Sequence, residues 1–263
     1  MKNIVTYREA DGGIINFEAH STLKSPLELA RYYASEKEYP DRYVVFTDRL
    51  AKLKSSKKDI EVESESGIFM SCILRPSIFP SQASLLSAMS ATAMATAMEG
   101  HTDKPIGIGW VSDIYCDGVK IGGVNIEGKL DDYTAYEYII ISFNARINKD
   151  NFPPKLTDMV KKVFDTDNTS VNMIIARSIL SKFFKLYPSL KTPERFMKEY
   201  ASKFALRGRK VKYRVGDKWK AFKVLGIDAR TGSLILDNGK EDEIIVTSPA
   251  LINTPKKFRN KHK

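Results

Sequence analysis

An α+β fold is predicted: a mixed, mainly antiparallel sheet flanked by helices, followed by a small SH3-like β-barrel. Short apolar runs broken by turn residues recur through the first 147 residues, interrupted by two stretches of helical spacing. One of these runs, Ile106–Glu127 (IGIGWVSDIYCDGVKIGGVNIE), places two apolar arms around Asp117-Gly118, the strongest short hairpin signal. After Leu206-Arg207-Gly208 the character changes, and short β-rich pieces alternate with turn residues from RKVKYRV to EIIVTS, the pattern of a small antiparallel barrel. The chain thus divides into a large domain over 1–205, a barrel over 206–255 and a basic, frayed tail over 256–263.

Taken in order, residues 1–20 read as strands around the turn Asp11-Gly12-Gly13. Ser25 is a good N-cap, Pro26 suits the first helical position and Glu28 supplies a capping acid, so a helix runs through SPLELARYYASEKE. Tyr43–Phe46 is a short buried strand. The polar segment from Asp48 to Ser66 then carries Lys52, Lys54, Lys57 and Lys58 before Glu61, Glu63 and Glu65. Without periodicity, such a loop is a solvated charge run or a phosphate-closing one. Gly67–Pro76 is a strand, and Ser81–Glu99 an alanine-rich helix ended by Gly100. Behind the Ile106–Glu127 hairpin comes the strand Tyr136–Ile147, and residues 148–205 read as helical, with caps at Thr169 or Ser170 and at Thr192-Pro193.

Composition narrows the function. With 43% hydrophobic and 28% charged residues the chain can bury a sizeable core. The two cysteines, Cys72 and Cys116, lie inside strands and read as buried free thiols of a reducing compartment. The histidines (His20, His101, His262) have no zinc-ligand spacing. No run approaches the roughly 18 apolar residues of a membrane span, and the N-terminus lacks a signal-peptide core, so a cytoplasmic location is expected. A net charge of +10 suits an anionic partner, yet no basic helix with interleaved aromatics and no DNA-binding motif is present.

Two stretches are candidates for binding. Lys120 precedes Ile121-Gly122-Gly123 on the return arm of the hairpin, where a cation beside exposed amides can hold an anion; taken by itself, the spacing favours a plain hairpin with a solvated lysine. Ser21-Thr22 stand just before the first helix, placed either to bind a polar ligand or simply to begin the cap.

The order of these elements resembles the biotin–protein ligases, whose catalytic fold is shared with lipoate ligases. The residues carrying the resemblance are Ser21-Thr22 before a helix, Asp48-Arg49 after a strand, Leu74-Arg75-Pro76 before the alanine-rich helix, Gly109–Asp113 followed by Lys120-Ile121-Gly122-Gly123, and Ser142-Phe143-Asn144. In the last domain Gly208-Arg209-Lys210-Val211 and Gly226-Ile227-Asp228 complete it. The resemblance implies ATP-dependent activation of biotin to biotinyl-adenylate and transfer to a lysine of the biotin carboxyl carrier domain of a carboxylase. By it, Lys120 and Asp113 are catalytic, and Ser21, Thr22, Lys120, Gly122 and Gly123 hold biotin. Lys52, Lys54, Trp110, Asp113 and Asn144 bind ATP, and Asp113 helps hold Mg²⁺. The resemblance further implies edge-to-edge homodimers. Repressor members carry an extra N-terminal DNA-binding domain, and this chain opens directly on the catalytic region, so no direct DNA binding is expected.

Several family positions differ here. The glycine- and arginine-rich phosphate loop corresponds to Leu53–Asp59, and a biotin-contacting glutamine to Leu50. The lysine, proline and asparagine of the hairpin's first arm correspond to Gly109, Val111 and Ser112. These differences keep two alternatives: a catalytically impaired relative that binds a small molecule or a carrier-like protein, and a ligase for another acyl acid such as lipoate.

Overall fold

The computed structural model describes residues 3–9, 11–36, 38–51, 66–76, 78–147, 170–239 and 242–257. Most of the Asp48–Ser66 segment and the expected helical stretch 148–169 lie outside the described residues.

Eight strands form the main sheet: β1 (Asn3–Arg8), β2 (Ile14–His20), β3 (Tyr43–Arg49), β4 (Ser66–Leu74), β5 (Ile106–Gly109), β6 (Asp113–Cys116), β7 (Val119–Leu130) and β8 (Tyr136–Arg146). Their order is β1-β2-β3-β4-β8-β7-β6-β5. Among the described strands only β2 and β3 pair in parallel, and the helical crossover between them supplies the long connection that such a pair needs. Asp117 and Gly118 both take positive φ, 48° and 74°, the geometry of the tight turn that joins twisted strands. The single first arm expected for the hairpin is in fact two strands. The chain turns at Trp110–Ser112, so β5 and β6 pair antiparallel with Ile108 opposite Ile114. The outer edge of β5 is covered by the segment behind the last helix, where the Ala205 amide donates to the Ile108 carbonyl at 2.8 Å.

Helix α1 (Pro26–Ser35) lies on one face, with the Ser25 hydroxyl accepting from the Glu28 amide as its cap. Beneath it sits a buried carboxylate. Glu18 accepts from Tyr43 at 2.5 Å and Tyr33 at 3.2 Å, and its other contact is the His20 ring at 2.9 Å. Helices α2 (Ala83–Glu99), α3 (Val171–Leu186) and α4 (Glu194–Lys203) cover the other face. Helix α2 is buried nearly all round, so its alanines pack against α3 and α4 as well as the sheet. Both cysteines are buried free thiols, and burial pushes both pKa values up.

The remaining strands, β9 (Lys210–Val215), β10 (Lys218–Ile227), β11 (Leu234–Asp237), β12 (Glu243–Val246) and β13 (Ile252–Asn253), form a curled half-barrel in the order β12-β11-β10-β9-β13. Val211, Val224, Leu234 and Leu236 of this sheet belong to the same core cluster as Met197, Phe204 and Trp110. The half-barrel is therefore packed onto the end of the large sheet. Part of the expected frayed tail is ordered: the Lys120 amide donates to the Lys256 carbonyl at 2.9 Å, and Lys257 bridges Val119. Residues 258–263 lie outside the described residues.

Candidate functional site

A β-bulge decides where Lys120 points. Asp113 pairs with Gly123 and Ile114 with Gly122, but Tyr115 pairs with Lys120, so Ile121 is the extra residue. Unbroken alternation would place Ile121 on the face of Asp113 and turn Lys120 to the other. The bulge reverses this, as bulges do when they re-aim a side chain. Ile121 enters the core, and Lys120 meets Asp113 with Nζ 2.6 Å from Oδ1.

The half-barrel completes this pair. The Thr254 hydroxyl donates to Oδ2 of Asp113 at 2.7 Å, and the Tyr115 hydroxyl donates to the Pro255 carbonyl at 2.6 Å. Burial pushes the Tyr115 phenol up to about 12, so it acts as a neutral donor. The turn at Trp110–Ser112 is pinned from several sides. The Trp110 indole donates to the Gly232 carbonyl at 2.7 Å, Tyr200 donates to the Val111 carbonyl at 3.0 Å, and Ser112 donates to the Val124 carbonyl at 2.7 Å.

Two cavities meet at Lys120. The larger, about 870 Å³, has an apolar side at Leu50, Phe69 and Ile121, then Gly122 and Asn144, with Arg146, Lys120 and Lys256 as cations and Trp219 at the half-barrel. Among the described residues that line it there is no carboxylate. The smaller, about 350 Å³, is lined by Trp110, Ser112, Asp113, Val124 and Asn125. Lys120, Ile252 and Thr254 line both. The arrangement can hold an elongated ligand with an apolar end and an anionic middle, its charge met by Lys120.

The structure thus brings Lys120, Gly122 and Asn144 together in the larger cavity, and Trp110, Asp113 and Lys120 in the smaller. Ser21, Thr22 and Gly123 line neither. Ser21 and Thr22 are exposed, with the Thr22 hydroxyl donating to the Ser21 carbonyl, and they adjoin Leu23, which bridges Leu50. A Cβ on Gly123 would stand 2.7 Å from the Ser112 carbonyl oxygen, so close packing of the β5–β6 turn accounts for that glycine. Lys52 and Lys54 lie outside the described residues. Trp110 is 4% exposed and its N–H is committed to Gly232, so it offers the smaller cavity only ring surface.

No cluster of three or more His, Cys, Asp or Glu side chains exists among the described residues. Asp113 is the one carboxylate among the described lining residues of the two cavities, so a Mg²⁺ beside it would take most of its six oxygens from water and phosphate. Sequence reasoning missed Phe69, Trp219, Thr254 and Lys256. Of these only Trp219 carried a signal, as an aromatic between lysines.

No family model matches the chain. The bifunctional ligase/repressor BirA of Bacillus spizizenii is 27% identical over 170 residues, covering 64% of this chain and 51% of that protein; the BirA of Bacillus subtilis is 26% identical over the same shares. The chain therefore spans about half the length of the curated relatives it matches. The apo biotin protein ligase of Aquifex aeolicus superposes with a TM-score of 0.64 at 17% identity, over 91% of this chain and 98% of that one. The same enzyme in complex with biotin and ATP gives 0.61 at 18%, over 90% and 97%. These likenesses establish the fold.

Proposed function

From the biotin protein ligase fold as premise, we propose that the chain activates biotin with ATP and passes it to a lysine of a carrier domain. The observation that carries this is the position of Lys120. The lysine that the sequence resemblance singled out lines both cavities, aimed there by a bulge and held by Asp113. An oxygen of the biotin carboxylate attacks the α-phosphorus of ATP, pyrophosphate leaves, and a mixed anhydride forms. The carrier amine then attacks the acyl carbon, AMP leaves, and the amine nitrogen loses a proton. Negative charge gathers on carboxylate and phosphate oxygens in both steps, and a fixed ammonium at that point favours them. Mg²⁺ enters as part of the Mg–ATP substrate, on phosphate oxygens. Release of Lys120 from Asp113 accompanies arrival of the anions, and Thr254 keeps the carboxylate in place.

A second reading is favoured by Leu50 and Phe69, which make one side of the larger cavity apolar. An acid with fewer polar groups than biotin, such as lipoate, suits that side better. One experiment tests both: ATP–pyrophosphate exchange with biotin and, separately, with lipoate, followed by mass spectrometry of an apo-carrier domain. Exchange that depends on biotin and a carrier gaining one biotinyl mass support the first reading. Exchange with lipoate alone supports the second. No exchange with either acid removes both ligase readings.

A further inference from the structure

Among the large apolar side chains that stand exposed in the described residues, Trp219 alone lines the larger cavity. It is 47% exposed. On β10 it alternates with Phe222 and Val224, which face the half-barrel interior, so Trp219 has no part in that core. It shares that cavity with three cations, Lys120, Arg146 and Lys256. Leu50 follows β3 and Phe69 lies on β4; Asn144 is on β8 and Lys120 on β7. β3 and β7 are three inter-strand spacings apart, about 14 Å. Lys120 pairs with the half-barrel at Lys256, just after β13; β13 pairs with β9, and β9 with β10, the strand that carries Trp219. The cavity thus runs from an apolar end, through Lys120, to an aromatic surface. An acyl nucleotide has the same order of parts: acyl chain, phosphate, base.

We infer that the indole of Trp219 is the platform on which the adenine base stacks, so that the half-barrel supplies the base-binding part of the nucleotide site. This rests on the reading that ATP binds here. Every purine offers a π-face, and an exposed indole beside cations is suited to one. The platform acts on the base, so triphosphate alone does not use it.

The test is calorimetry and tryptophan fluorescence on the full chain, titrated with ATP, with inorganic tripolyphosphate and with biotin. Three proteins are compared: wild type, Trp219→Ala and Trp219→Phe. ATP is expected to quench wild-type emission and to bind Trp219→Ala about tenfold more weakly, while tripolyphosphate and biotin bind both alike. Trp219→Phe keeps near-native ATP affinity and loses most of the quench, because the emitting indole on which the base stacks is gone. Unchanged ATP affinity in Trp219→Ala overturns the inference and leaves the ligase reading standing. So does equal weakening of ATP and tripolyphosphate, which assigns Trp219 an architectural role. A wild-type chain that binds no ATP, with or without biotin, overturns both.

Discussion

The Lys120 ammonium and the Asp113 carboxylate stand 2.6 Å apart with 37% and 21% of their side-chain surfaces exposed. A pair this open contributes about 0–1 kcal/mol to stability. The same ammonium placed against developing charge in a transition state is worth far more, about 10²–10³ in rate. Lys120→Ala is therefore expected to lower pyrophosphate exchange by about that factor while moving the thermal midpoint by no more than about 3 °C. Exchange within threefold of wild type would remove Lys120 from the chemistry.

Thr254 tests the half-barrel's share in the same pair. Its hydroxyl donates to Asp113 from a segment 141 residues away in sequence. Thr254→Val removes a donor from a carboxylate, a loss of about 1.5–3 kcal/mol where the bond is shielded and less at this partly open site. A fall of about tenfold in exchange is expected, with Thr254→Ser close to wild type. Equal activity of the valine and serine variants would show that the hydroxyl does not position Asp113.

These two residues also mark how far the sequence could be read. Local pattern makes Lys120 only a candidate, since a plain hairpin with a solvated lysine fits the same spacing; the order of the elements around it, through the family resemblance, singles it out. The bulge that turns Lys120 toward Asp113 was not legible, because alternation alone assigns it the opposite face. Thr254 carries no local signal at all, since its meaning arises from half-barrel docking. Trp110 is expected at the nucleotide by the resemblance; it lines the smaller cavity, and its N–H holds the Gly232 carbonyl of the half-barrel, a bond that nothing local in the sequence announces. Ser21 and Thr22 were placed correctly ahead of a helix, yet chain adjacency did not bring them to a cavity wall.

Gly122 distinguishes packing from ligand contact. A Cβ there would stand 1.9 Å from the Asn144 carbonyl oxygen and 2.7 Å from the Ala145 Cα, both backbone atoms of β8. Gly122→Ala must part β7 from β8 or shift the register, and is expected to cost more than about 2 kcal/mol in urea unfolding. A variant as stable as wild type that binds biotin poorly would place the constraint in the ligand instead.

Glu18 is fully buried and accepts from Tyr33 at Oε1 and Tyr43 at Oε2, with the His20 ring also against Oε1. Glu18→Ala removes two buried hydroxyl hydrogen bonds, each loss costing about 1–3 kcal/mol. His20 directly precedes Ser21-Thr22, so the cluster also fixes the end of β2. The variant is expected to lose about 2–4 kcal/mol of stability, with Glu18→Gln losing less because the amide oxygen still accepts. Chemical denaturation of the two variants side by side checks the order, and equal losses would count against the hydrogen-bond account.

The turn between β1 and β2 gives a pH dependence with a definite sign. Arg42 donates two hydrogen bonds to Asp11, at 2.9 and 2.7 Å, and this holds the carboxyl below its ordinary range, helped by the Gly13 amide. The folded state thus releases the Asp11 proton more readily than the unfolded chain. Its contribution to stability is fully present above the unfolded value of about 3.9. The contribution begins to shrink near pH 4 and is lost as pH falls through the lower folded value. Asp11→Asn removes the charge but keeps the shape, so the stability gap between wild type and variant is expected to be constant from pH 7 to 5 and to narrow below. Urea unfolding of both proteins across pH 7 to 3 measures it. A gap that stays constant to pH 3, or widens, would show that the Arg42 pair does not depress the Asp11 carboxyl.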